Sequence, residues 1–141
     1  MPAPVRVDIT HVFTSDPQTV FDALGEHERL GDVFGASVSR VRDGDESRNG
    51  VGSVRRLKIG PLPSFEETVT EAEPGRLICY RITKGSPLTG HWGEQRLQPT
   101  ADGGTRLEYR IGFDARLPGV ARIVATALGR RLPQGLSRLV P

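Results

Sequence analysis

One cysteine, Cys79, stands among 141 residues, so no internal disulfide can form and nothing points to an oxidising compartment. No run approaches the roughly 20 consecutive apolar residues that cross a bilayer. The N-terminal stretch MPAPVRVDIT lacks an apolar signal core, and the expectation is a cytoplasmic protein. Lysine is scarce, since the bases are nearly all arginine, and 17 acids nearly balance them to leave a net charge of +2. A basic stripe interleaved with stacking aromatics is missing, which argues against a nucleic-acid surface. His11, His27, His91 and the lone cysteine have no metal-ligand spacing, so no metal is expected. Gly50-Val51-Gly52 precedes a strand rather than a helix and is no phosphate loop. A serine nucleophile elbow is absent too. The sequence therefore carries no catalytic signature and calls for no cofactor.

What is present is a distinctive order of elements. Residues 5–13 alternate in the manner of a half-buried strand, with Val5, Val7, Ile9, His11 and Phe13 on one face. Ser15 and Gln18 fit a capping box around Pro17, and Val20, Phe21 and Leu24 then recur at helical spacing up to Gly25. A further helical turn is predicted around 26–30. Six strand-like runs follow at 36–42, 52–59, 64–72, 76–83, 88–98 and 105–114, joined by turn residues such as Asn49-Gly50, Pro74-Gly75 and Asp102-Gly103-Gly104. This is the meander pattern of antiparallel pairing. After Pro118, Val120, Ile123, Val124, Ala127 and Leu128 form an apolar stripe at helical spacing, predicted to pack on the sheet. Pro133 is predicted to kink or interrupt that helix. The length suits one domain over 1–141. The fold class is therefore α+β: a seven-stranded curved antiparallel sheet, two short helices, and a long C-terminal helix over a cavity.

Strand parity separates the faces. Leu107, Tyr109, Ile111 and Phe113 share the apolar face, opposite Arg106, Glu108 and Arg110. The same parity turns Phe65, Glu67 and Val69 inward, and His91, Gln95 and Leu97 with them, although Gly90 and Gly93 permit a bulge that would turn His91 and Trp92 around. The arginines at 55, 56, 106 and 110 are expected to pair with Glu66, Glu67, Glu94 and Glu108 on an exposed sheet face. The candidate ligand-binding residues are Glu67, His91, Gln95, Tyr109, Phe113, Val124 and Leu128. None of Glu67, His91 and Tyr109 reads as a main core filler, so Glu67→Gln is expected to leave the fold intact. His11 reads as structural, and Cys79 as a small buried apolar residue.

The stretches SDPQTVFDAL, NGVGSVRRL and VTEAEPGRLICYRI, the hairpin HWGEQRLQPT–GGTRLEYRIGF and the closing helix resemble the START/Bet v 1-like helix-grip superfamily (SRPBCC). Within it they resemble the bacterial polyketide cyclase/dehydrase-like group, and the resemblance spans essentially the whole chain. It implies a cavity between sheet and helix that binds an apolar or amphipathic molecule of lipid, polyketide or aromatic type. Two other readings stand beside it. One is a cyclase or dehydratase using Glu67 or His91 as base, with Tyr109 steadying an oxyanion. The other is a protein-interaction module with a filled cavity. The expected partner is an apolar small molecule, with no nucleic acid and no membrane span; a homodimer is compatible with this composition.

Overall fold

Alternation of buried and exposed side chains along each strand builds a sheet with one apolar face. In the computed structural model, which describes residues 2–141, the strands are β1 (Val5–Phe13), β2 (Ser37–Arg42), β3 (Val54–Lys58), β4 (Phe65–Glu73), β5 (Leu77–Lys84), β6 (Leu88–Pro99) and β7 (Thr105–Ala115). Their order across the sheet is β1-β7-β6-β5-β4-β3-β2, and every neighbouring pair is antiparallel. Leu107, Tyr109, Ile111 and Phe113 are buried on the inner face of β7, while Arg106 and Arg110 stand exposed opposite. The predicted strand boundaries hold within two residues.

Helix α1 (Pro17–Gly25) begins at Asp16 rather than Ser15. The Asp16 carboxylate accepts from the Thr19 backbone N–H at 3.2 Å, and Gln18 bonds forward to Asp22 instead of back to the cap. An aspartate directly before Pro17 supplies the stronger acceptor, so the expected Ser15/Gln18 box does not form. A 3-10 turn (His27–Arg29) and a one-turn helix α2 (Gly31–Phe34) lead into β2.

Helix α3 (Val120–Leu139) lies against the sheet, but two expectations about it need correction. It runs unbroken through Pro133. Pro133 and Gly129, whose carbonyl loses its partner there, both lie on the exposed side, where the freed carbonyl is open to solvent. The buried stripe is also rotated from the predicted one. Ala121, Leu132, Gly135, Leu136 and Leu139 are buried, Val124, Ala125 and Leu128 are partly buried, and Ile123 is 70% exposed. The leucines of the second half set the phase, and close packing fixes it. A Cβ on Gly135 would lie 2.4 Å from the Val33 Cα, so α3 rests almost directly on α2. The carbonyls of Leu139 and Pro141 accept from Arg29 Nη2 (2.7 Å) and the Thr14 N–H (2.8 Å), tying the helix end to the other elements. Among the described residues, no helix is long and apolar enough to cross a membrane.

Candidate functional site

Between the first half of α3 and the sheet, side chains leave a cavity of about 200 Å³. Val124 and Leu128 form its roof, and Leu57, Phe65, Ile111 and Phe113 are among the apolar walls. The β3–β4 loop (Ile59, Leu62, Pro63), the β5–β6 loop (Gly85–Pro87) and Leu88 at the start of β6 flank it. Glu67, His91, Ser86 and Tyr80 are the residues of the lining that carry polar side-chain groups. A larger groove of about 660 Å³ lies elsewhere, between α1 and the loop around Asp45–Val51, with charged, solvated walls. The smaller cavity is the candidate site because, among the described residues, buried ionisable groups converge only there.

The centre of that cluster is Arg55, which is 2% exposed. The sequence reading put this arginine on the outer face; β3–β4 register instead sets it directly opposite Glu67 on the inside. Its Nε donates to Glu67 Oε1 at 2.8 Å, and its Nη1 lies 3.3 Å from Nδ1 of the buried His27. The guanidinium stacks over Tyr80 (4.7 Å to the ring centroid) and Phe34 (5.6 Å). Burial alone lowers the Arg55 pKa, but Glu67 together with the neighbouring Tyr80 and Tyr109 more than offsets it, so the group stays charged. Its outer neighbours behave as expected, with Arg56 and Glu66 paired at 2.8 Å on the solvated face.

His91 faces inward despite the bulge. The β6–β7 register shifts between Thr89 and Trp92, with Gly90 in the left-handed region at φ +64°. The His91 ring accepts a hydrogen bond at Nδ1 from the Ile82 N–H (2.9 Å), and its Nε2 lies 3.9 Å from Glu67 Oε2. Burial pushes its pKa below the ordinary range; Glu67 opposes this and Arg55 adds to it, so the ring is neutral at pH 7. Trp92 turns outward, lies across Gly112 and donates from Nε1 to the Ala3 carbonyl at 2.9 Å.

Five of the seven sequence-derived candidates meet at this cavity: Glu67, His91, Phe113, Val124 and Leu128. Gln95 and Tyr109 do not line it. They pair across β6 and β7 deeper in the sheet, 2% and 0% exposed. The Tyr109 hydroxyl meets that of Tyr80, and burial raises the pKa of both phenols. Tyr80 thus takes the place at the cavity that parity gave to Tyr109. Its ring fits because residue 93, opposite it on β6, is glycine; a Cβ there would lie 2.3 Å from the ring. Sequence reasoning missed Arg55, Tyr80 and His27. The alternation of Ile78, Tyr80 and Ile82 was a usable signal for Tyr80, and the parity Arg55 shares with Leu57 was one for Arg55. His11 packs beside Phe13, with ring centroids 4.6 Å apart, and does not line the cavity. Cys79 is partly exposed, and burial, with Glu71 and Glu94 nearby, raises its thiol to about 11, so it is a poor nucleophile.

The fold is shared with solved structures of low sequence identity. A START superfamily protein from Mycobacterium smegmatis superposes with a TM-score of 0.74 at 16% identity, over 94% of this chain and 92% of that one. The ZhuI aromatase/cyclase from Streptomyces sp. R1128 gives 0.65 at 22% identity, covering 94% and 82%. Norcoclaurine synthase from Thalictrum flavum, solved with dopamine and hydroxybenzaldehyde, gives 0.70 at 14% identity, covering 97% and 86%. No curated protein matches the chain at a significant level. Residues 4–141 match the family described as polyketide cyclase / dehydrase and lipid transport, and the chain, a helix-grip sheet closed by one long helix, belongs to that family.

Proposed function

We propose that the chain binds an apolar or amphipathic small molecule in the cavity beneath α3. The observation that carries this reading is the cavity's make-up: apolar walls converge on a carboxylate and an imidazole at one end. A few placed polar groups in an apolar cleft are the usual composition of a small-molecule site. The unfilled interior disfavours an interaction module with a collapsed cavity. The family and the similarity to an aromatase/cyclase and to a synthase complexed with small aromatic compounds support an aromatic or polyketide-type ligand.

A cyclase or dehydratase role is the second reading. It is favoured by the sharing of one cavity end by Glu67 and His91, which together could accept and return a proton. In that role Tyr80, rather than Tyr109, would stand beside the reacting group.

The test is titration of the folded protein with a panel of small apolar and aromatic compounds, alongside a Leu128→Trp variant. Saturable binding that the tryptophan abolishes without lowering the melting temperature supports the reading. Binding unaffected by that variant, or no saturable binding at all, refutes it.

A further inference from the structure

We propose that the polar end of the cavity is a slot for one protonated hydroxyl group, which donates to Glu67 Oε2 and accepts from His91 Nε2 while a one- or two-ring body fills the apolar part. This deepens the binding reading above and rests on it.

The two oxygens of Glu67 have different employment. Oε1 is held by Arg55 Nε at 2.8 Å, whereas Oε2 faces His91 Nε2 across 3.9 Å. That gap is too wide for a hydrogen bond. Arg55 fixes the carboxylate from behind and is itself occupied by His27 and by the faces of Tyr80 and Phe34. It positions Glu67 and does not line the cavity.

The imidazole is fixed as firmly. Because the Ile82 N–H donates to Nδ1, the neutral ring must carry its proton on Nε2. The gap is therefore bounded by one acceptor, Oε2, and one donor, Nε2–H. An oxygen about 2.8 Å from each closes it with two hydrogen bonds. That oxygen must donate and accept at once, as a hydroxyl does. An ether or ketone oxygen would set its lone pairs against the carboxylate. An ammonium would face Nε2–H with no lone pair to offer, and an ionised phenolate or carboxylate would be repelled by Glu67.

Size narrows the class further. A dry apolar cavity of about 150 Å³ holds a benzene ring, so about 200 Å³ takes one or two rings, with any longer tail leaving past the flanking loops.

The experiment is calorimetric titration of the full chain with 2-naphthol, 2-methoxynaphthalene and naphthalene. A merely greasy pocket ranks the methoxy compound at or above the naphthol, because methylation adds apolar surface. The slot reverses that order: 2-naphthol is expected to bind about tenfold tighter than either analogue, the worth of one well-made buried hydrogen-bond pair. In His91→Phe, which keeps a ring but removes the donor, the preference is expected to shrink, because only the bond to Glu67 remains, while naphthalene affinity holds. Should that variant misfold, the wild-type ligand order still decides. Equal or inverted affinities for 2-naphthol and its methyl ether would overturn the slot and leave the binding reading standing. Saturable binding by none of the three, with the wider panel also silent, would overturn both.

Discussion

Arg55 and Glu67 form an ion pair at 2.8 Å with side chains only 3% and 6% exposed, in a sheet whose other charge pairs lie largely at the surface. Two charges removed from water are tolerated when each is paired and hydrogen-bonded, and removing one partner is costly because it strands the other. Glu67→Gln is therefore expected to destabilise the protein by about 3–5 kcal/mol, against the sequence expectation that it leaves the fold intact. Arg55→Met should cost a similar amount. The double variant Arg55→Met/Glu67→Leu should recover much of the loss, since no charge is left unpaired. Urea unfolding of the three variants checks this. Additive losses in the double variant would show that the two residues do not act as a pair.

The pair also shows where sequence reading stops. Parity turned Glu67 inward correctly, because its strand neighbours Phe65 and Val69 are apolar. Arg55 carries the same parity signal from Leu57, but a charged side chain on a strand is usually solvated, and only the β3–β4 register reveals that a carboxylate stands opposite. The strands and their antiparallel meander follow from local alternation and turn residues, so they were legible, and the cavity was legible from the single closing helix and the family resemblance; the pairing of β1 with β7 was not. The rotation of α3 was not. Its first half offers apolar residues on two sides, and the choice is made by Leu132 and Leu136 packing inside and by Gly135 lying against Val33.

That rotation gives a second expectation. Leu136 is fully buried, and Leu136→Ala should cost about 2–5 kcal/mol. Ile123, 70% exposed, should accept aspartate with a change within about 0.5 kcal/mol. Val124 is only partly buried and roofs the cavity, so Val124→Asp is expected to weaken ligand binding more than it lowers the melting temperature. Unfolding by Ile123→Asp would restore the originally predicted stripe.

Acid should loosen the fold through His27. Burial first, then the nearby Arg55 and Arg40 charges, lowers its pKa to about 3 in the folded protein. The unfolded chain takes up the proton near pH 6.5. Between those values the unfolded state binds more protons, so stability is full above about pH 6.5 and falls as pH drops towards 3, by at most about 1.4 kcal/mol per pH unit. His91 pulls in the same direction. Glu28, lowered to about 2 chiefly by its hydrogen bond from Arg40, adds a loss that begins near its unfolded value and deepens in stronger acid. Urea midpoints at pH 7 and pH 5 should differ by about 1–2 kcal/mol in unfolding free energy, and His27→Gln should reduce that difference. An unchanged difference in the variant would remove His27 from the account.

Two glycines should respond to alanine with opposite signs. At Gly93 a Cβ would lie 2.3–2.7 Å from three atoms of the Tyr80 ring. That ring has little freedom to retreat, because its hydroxyl is bonded to Tyr109 and its face carries the Arg55 guanidinium. Gly93→Ala should therefore cost about 1–3 kcal/mol through overpacking. It should also disturb the cavity, since Tyr80 is one of its walls. Gly129 sits within α3 on the exposed side, and a Cβ there meets nothing within 4 Å. Alanine removes conformational freedom from the unfolded chain and favours the helix, so Gly129→Ala should stabilise by about 0.5–1 kcal/mol. Thermal and urea unfolding of both variants give the signs directly. A neutral Gly93→Ala would mean that Tyr80 can move away from the sheet. Its contact with Tyr109, and the rigidity of the cavity end that holds Glu67 and His91, would then have to be abandoned.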